Sequence, residues 1–131
     1  MHVVVVAAVI DPARGLLLVR KRDDGVWYCP QGWLRPGEDL RDTAKRKVSE
    51  ETGVLVSVEK VLAMRSRMLH DSPPEGELMV LVRCHALAGT PRPGICELDA
   101  AYTPMEALPE MAPHQAEWIL EALAGNGRLL E

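Results

Sequence analysis

The sequence is poor in aromatic residues and in positive charge, and both scarcities narrow the choice of function. Aromatic residues make up 4% of the 131 residues and phenylalanine is absent, so few rings are available to stack against a planar ligand. Lys and Arg number 15 against 19 Asp and Glu, which gives a net charge of −4. A chain with this balance offers no basic surface to a polyanion, so bulk nucleic-acid binding is not expected.

Paired cysteines and long apolar segments are also lacking. Cys29, Cys84 and Cys96 are odd in number and form no C-x-x-C pair. This argues against a disulfide scaffold and a structural zinc site, and it indicates a reducing compartment. The apolar opening run, residues 3–10, lacks a preceding basic region and is too short to span a bilayer. We therefore expect a cytoplasmic protein without a membrane partner.

The order of predicted elements indicates one α+β domain over residues 1–131, a mixed sheet covered by helices. Strands are predicted over residues 3–10, 16–22, 26–29, 54–64, 77–87 and 97–102. The turn at 11–15 joins the first two strands into a hairpin. Helices are predicted from Glu38 to a C-cap at Gly53, from a capping box at Thr103, and over residues 113–124.

The first predicted helix carries a carboxylate in an unusual place. On a helical wheel of about 100° per residue, Leu40, Ala44 and Val48 form the stripe that packs against the sheet. Glu51 falls inside this stripe, Lys47 lies almost on the same line, and Arg46 and Glu50 border it. A carboxylate aimed at a packed interface is costly unless a cation or several hydrogen bonds meet it. The alternative is a solvated set of side chains, with pairs worth about 0.2–0.5 kcal/mol each.

The segment from Gly32 to Val54 resembles the Nudix box, G-x5-E-x7-R-E-U-x-E-E-x-G-U with U aliphatic, at eight of its nine defined positions. The matching residues are Gly32, Glu38, Arg46, Val48, Glu50, Glu51, Gly53 and Val54. The order of elements is similar to the α/β/α sandwich of that family. The chain is thereby identified as a member of the Nudix hydrolases.

The resemblance implies hydrolysis of a nucleoside diphosphate linked to another group, with Mg²⁺ or Mn²⁺ as cofactor. It implies that Gly32, Glu50 and Glu51 bind the metal, that Glu38 supports the loop and shares in metal binding, and that Arg46 orients a neighbouring glutamate. The expected partner is a small nucleotide. Pairing of relatives through strands or the last helix also makes a homodimer compatible with the chain.

The ninth position of the box calls for glutamate, and this chain has Lys47. A protonated ammonium is neither a metal ligand nor a base. Three hypotheses follow: catalysis with another base, a domain that binds nucleotide with Lys47 in place of a cation, or an engineered substitution that traps a substrate complex. Alternative bases lie in the later loops: Glu97, Glu75, Glu77 and His70.

Several side chains outside these acids are candidates for contacting a nucleotide. The run Arg20-Lys21-Arg22 precedes the box and could reach phosphates, although a solvated strand end is an equal alternative. Trp27, Tyr28 and Trp33 are candidates for stacking on a base, and core or rim positions are expected for two of them. Subfamily markers outside the box are not found, so no particular substrate is predicted.

Overall fold

Seven strands and two α-helices follow one another in the computed structural model, which describes residues 2–68, 76–112 and 115–125. The strands are β1 (His2–Asp11), β2 (Gly15–Lys21), β3 (Trp27–Tyr28), β4 (Gln31–Trp33), β5 (Leu55–Met68), β6 (Gly76–Ala88) and β7 (Glu97–Thr103). The helices are α1 (Leu40–Thr52) and α2 (Gln115–Leu123), with a 3-10 helix at Met105–Ala107. No helix among these residues is long and apolar enough to cross a membrane.

Strand β1 lies at the centre of a mixed sheet. It runs parallel to β6 and antiparallel to β4, and its last residues continue into the predicted hairpin with β2. The strand order is β3-β2-β1-β6-β5, with β4 paired to β1 and β7 paired to β2. Because both faces of β1 are covered, its sequence is continuously apolar instead of alternating.

Alternate residues of β1 pack into two separate cores. Val4, Val6 and Ala8 lie in one core with Trp118 and Ile119 of α2, whereas Val5, Ala7 and Val9 lie in the other with Ala44 and Val48 of α1. This division follows from the two-residue period of a strand, which sends neighbouring side chains to opposite faces. The result is the α/β/α sandwich with a mixed sheet flanked by helices, as the sequence predicts.

Helix α1 has well-defined ends, and they position the residues of the box. Asp39 caps its N-terminus in a reciprocal pair with Asp42, and Gly53 ends it in the left-handed region with φ 72°. The predicted wheel is confirmed, because Ala44, Val48 and Glu51 are buried while Asp42, Lys45 and Ser49 are exposed.

A short helix follows Thr103 as predicted, but the capping box predicted for its start is wrong. Thr103 is the last residue of β7 instead of an N-cap, and its hydroxyl donates to the carbonyl of Leu16 across the sheet at 3.1 Å. Only the short 3-10 helix follows, without a side-chain cap. Pairing of β7 with β2 therefore takes the hydroxyl that the capping box would have used. The last predicted helix begins at Gln115 among the described residues, and residues 113–114 lie outside them.

Candidate active site

A cleft of about 620 Å³ opens where β2 ends and where β4 and the loop before β7 come together. Its lining includes Lys21 and Arg22 from the end of β2, Gln31, Gly32 and Trp33 from β4, and Ile95 and Cys96 from the loop. Strand β4, which carries the first glycine of the box, thus forms one wall. This size falls within the range of about 300–1,000 Å³ that small-molecule sites usually have.

Two buried carboxylates meet beside this cleft and share one lysine. The Nζ atom of Lys21 lies 2.9 Å from Oε2 of Glu51 and 2.9 Å from Oε2 of Glu97, and both acids are only 3% exposed. Glu51 comes from the last turn of α1, and Glu97 is the first residue of β7. The cation that the wheel requires for Glu51 is therefore present as a side chain of the protein itself.

Lys47 and Glu50 complete this group of charges. The Nζ atom of Lys47 lies 3.3 Å from Oε2 of Glu50 and 3.4 Å from Oε2 of Glu51. Glu50 is the accessible member, with a side chain 45% exposed against 4% for Glu51. We call Glu50, Glu51 and Glu97 the carboxylate cluster.

Burial and charge act in opposite directions on these groups. Burial raises the pKa of Glu51 above its ordinary value, and the nearby ammonium groups of Lys21 and Lys47 only partly offset this rise. The pKa of Lys21 is raised. Burial alone would lower it, but the hydrogen bonds to Glu51 and Glu97 outweigh the effect of burial. Partial burial raises the pKa of Glu50, yet Lys47 and Arg46 outweigh it, so the pKa is lowered and the carboxylate is ionised at neutral pH.

Glu38 and Arg46 form a clamp between the loop and α1. Arg46 donates from Nε to Oε2 of Glu38 at 2.7 Å and from Nη2 to Oε1 at 2.9 Å, and its Nη2 also reaches the Trp33 carbonyl at 3.0 Å. Thr43 and the Arg35 backbone N–H donate to the same Oε1. Both oxygens of Glu38 are thus engaged, which suits support of the loop, and its share in metal binding stays a prediction.

The clamp predicts a pH-dependent contribution to stability. The hydrogen bonds from Arg46 lower the pKa of Glu38 from 4.5 to about 2. A carboxyl group whose folded pKa is depressed stabilises the fold above its unfolded pKa and loses that effect as pH falls through the folded value. We expect Glu38→Gln to lower the Tm at about pH 7 and the difference from wild type to disappear towards about pH 2. Thermal melts across this range measure it.

The matched control for this prediction is Glu106→Gln, which changes an exposed acid in the 3-10 helix. Its Tm should follow that of the wild type at every pH. A Glu38→Gln difference that stays constant from pH 7 to pH 2 would contradict the ion-pair explanation.

The predicted metal ligands are not assembled around one position. The described residues contain no group of three His, Cys, Asp or Glu side chains that could hold a metal ion. Glu38 is engaged by Arg46, and Glu50 and Glu51 face the ammonium group of Lys47. The assignment of Gly32, Glu38, Glu50 and Glu51 as metal ligands therefore stays a prediction, and in this arrangement protein cations already meet the three acids.

The other predicted contact residues are spread over the site and its surroundings. Arg22 and Trp33 line the cleft, and Trp33 is 58% exposed with its ring stacked on His2 at 4.7 Å. Arg20 is turned to the neighbouring hairpin, where its Nε donates to the Gly25 carbonyl at 2.9 Å, and the structure does not place it in the cleft. Among the alternative bases, Glu77 lines the cleft, whereas His70 and Glu75 lie outside the described residues.

Two important contacts could not be found from the sequence. Lys21 belongs to the basic run predicted to reach phosphates, but its two buried partners, Glu51 and Glu97, were not predicted. The only local indication is that a residue two positions from the buried Val19 lies on the same face of the strand. Gln115 of α2 accepts from the Cys29 backbone N–H and donates to Gln31, each at 2.8 Å. The Gln31 backbone N–H in turn donates to Oε1 of Glu51 at 3.4 Å. Helix α2 is thereby connected to the carboxylate cluster.

The loop that delivers Glu97 is fastened to the end of α1. The backbone N–H groups of Arg92 and Gly94 donate to the carbonyls of Thr52 and Glu51 at 2.9 and 3.1 Å. A Cβ atom on Gly94 would lie 2.2 Å from the Glu50 carbonyl oxygen and 2.6 Å from Oε1 of Glu97. Only glycine permits this approach.

We expect Gly94→Ala to destabilise the fold by about 1–3 kcal/mol, because the added methyl group meets backbone that cannot move freely. Urea unfolding measures this change. Gly32→Ala is the matched comparison, since its Cβ atom would meet only the flexible side chain of Lys47, at 2.6 Å. A larger loss of stability in Gly32→Ala than in Gly94→Ala would contradict this explanation.

Comparisons with known proteins place this fold and site in a family. The family model described as NUDIX domain matches residues 1–122. A MutT-like protein of Streptomyces ambofaciens is 31% identical over 129 residues, which cover 97% of this chain and 80% of that protein. An RNA pyrophosphohydrolase of Rhodopseudomonas palustris is 39% identical over 67 residues, covering 45% of this chain and 40% of that protein.

The solved structure of an ADP-ribose pyrophosphatase from Streptococcus suis has the same fold, with a TM-score of 0.77 at 21% identity and coverage of 99% of this chain and 98% of that one. The chain belongs to the NUDIX family. The class of enzyme that this fold and these relatives represent is the Nudix pyrophosphohydrolase.

Proposed function

We propose that the chain hydrolyses the pyrophosphate linkage of a nucleoside diphosphate joined to another group, as a single NUDIX domain. The observation that supports this proposal is the carboxylate cluster, which is joined through Lys21 to the wall of a cleft of about 620 Å³. Water attacks one phosphorus atom, the bridging P–O bond breaks, and the bridging oxygen leaves with the other phosphate. The proton of the attacking water passes to a base.

Glu50 is the base that the geometry favours. Its carboxylate is the accessible member of the carboxylate cluster and is ionised at neutral pH. The candidate Glu97 is buried, and its Oε2 is bonded to Lys21. Arg46, which lies 3.6 Å from Glu50, positions that carboxylate while it holds the loop through Glu38.

We further propose Mg²⁺ or Mn²⁺ as the cofactor, since hydrolases of this family generally need a divalent cation. Gly32, Glu50 and Glu51, with Glu38, would hold such an ion, which would supply charge stabilisation to the phosphates. The substrate class is a small nucleotide, with Arg22 and Trp33 on the cleft wall as its proposed contacts. Arg20 remains a weaker proposal because it faces the hairpin.

The test is a panel of nucleoside diphosphate derivatives with Mg²⁺ or Mn²⁺, in which release of the two phosphate-bearing products is measured. We expect turnover of at least one substrate, and Glu50→Gln should lower kcat by about 100-fold or more. Glu121→Gln, an exposed change in α2, is the control. Unchanged kcat in Glu50→Gln would remove Glu50 as the base.

A second function is favoured by Lys47 itself, whose ammonium group lies within the carboxylate cluster. In this alternative the domain binds a nucleotide for regulation and turns it over weakly. Nucleotide binding by calorimetry without product formation at any pH up to about 9 would establish this function and exclude the hydrolase.

A further inference from the structure

The carboxylate of Glu51 lies between two ammonium groups. Its Oε2 atom is 2.9 Å from Nζ of Lys21 and 3.4 Å from Nζ of Lys47. The same Lys21 atom also bonds Glu97, and the same Lys47 atom bonds Glu50. Two lysines therefore make four contacts with the three acids of the carboxylate cluster, and every acid has at least one.

Lys21 and Lys47 offset much of the negative charge of the site. With Glu38 and Arg46 included, four carboxylates face three cationic groups, so the net charge of the site is −1. Metal sites for Mg²⁺ or Mn²⁺ rely on carboxylate and carbonyl oxygens with excess negative charge. Here the excess amounts to a single charge, because the two lysines offset two of the four negative charges and Arg46 offsets a third.

Lys47 also occupies the space next to Gly32, in addition to offsetting charge. The stem of Lys47 passes so close to Gly32 that an added Cβ atom would lie 2.6 Å from its Cδ and Cε atoms. The side chain of Lys47 is only 22% exposed, so it is packed between the loop and the end of α1 and does not extend into solvent. The region between Gly32 and Glu51 is thus filled by this lysine.

We propose that Lys21 and Lys47 together take the place of one divalent cation in the carboxylate cluster, so that the nucleotide-free protein binds such cations weakly. This inference rests on the proposed function, because it concerns the cation of that reaction. An incoming divalent cation must displace an ammonium group from Glu51. The contacts of the two lysines with Glu51 therefore weaken binding of the cation.

The test measures Mn²⁺ binding to the nucleotide-free protein by electron paramagnetic resonance of the unbound ion. Lys47→Gln removes the charge and keeps most of the stem, and we expect it to lower the Kd for Mn²⁺ by about tenfold or more. Lys21→Gln should act in the same direction. Lys45→Gln is the matched control, because this exposed lysine lies on the opposite face of the same helix.

An equal Kd for Mn²⁺ in the wild type, Lys47→Gln and Lys45→Gln would overturn the inference. Lys21→Gln removes the partner of two buried acids, so a folded sample is confirmed by circular dichroism, and Lys47→Gln decides the outcome if that sample is unfolded. The Kd for Mn²⁺ is measured without substrate, so this test is independent of the test for hydrolysis. Tighter Mn²⁺ binding without hydrolysis supports this inference and defeats the hydrolase, whereas hydrolysis with an unchanged Kd does the opposite.

Discussion

Lys47→Glu is expected to raise kcat by about 100-fold, which is within the range of about 10²–10⁴ that a well-placed acid or base contributes. The substitution removes an ammonium group 3.4 Å from Glu51 and places a carboxylate at the one position where the chain departs from the Nudix box. Steady-state kinetics on the substrate identified by the nucleotide panel, with saturating Mg²⁺, measures the change.

The control for this gain is Lys45→Glu, which makes the same change of charge two residues away on the exposed face of α1. It should leave kcat within about twofold of the wild type. A gain in both variants would point to the overall charge of the protein, and no gain in Lys47→Glu would show that Lys47 does not impair the site.

Lys21→Met is expected to cause the largest loss of stability, about 3 kcal/mol, because it leaves two buried carboxylates without their shared partner. Glu51 and Glu97 are each only 3% exposed, so they depend on the ammonium group for most of their compensation. Lys47 still contacts Glu51, which places the expected cost at the lower end of the range for broken buried pairs. Urea unfolding at neutral pH measures the loss.

The pH dependence of this loss identifies its cause. Burial already raises the pKa of Glu51, and loss of Lys21 removes a group that lowers it. The folded pKa of Glu51 then lies further above its unfolded value, so the cost of this buried charge is greatest at high pH and shrinks as Glu51 becomes protonated. The deficit of Lys21→Met should therefore be smaller at about pH 5 than at about pH 8. Lys60→Met, which changes an exposed lysine on β5, should show no deficit at either pH. A deficit that is independent of pH would indicate lost packing of the lysine stem.

Much of the fold followed from short-range patterns. The apolar run of β1, the turn at 11–15 and the cap at Gly53 are local signals, and each is present as predicted. The wheel also placed Glu51 in the buried stripe of α1. The capping box at Thr103 was wrong because a strand partner 87 residues away took the hydroxyl. A local pattern predicts poorly where a distant segment offers a competing hydrogen bond.

The sequence by itself determined the family box, the departure at Lys47 and the need of Glu51 for a cation, since these depend on spacings within one helix. The same spacing placed Lys47 near Glu51, and only the tertiary structure showed that Lys21 is the second and nearer cation. Lys21 lies 30 residues from Glu51 and 76 from Glu97, and Gln31 lies 84 from Gln115. The period of a helix or strand determines only the face on which a side chain lies. Pairing of β2 with β7 and packing of α1 on the sheet then bring these distant side chains within hydrogen-bonding distance.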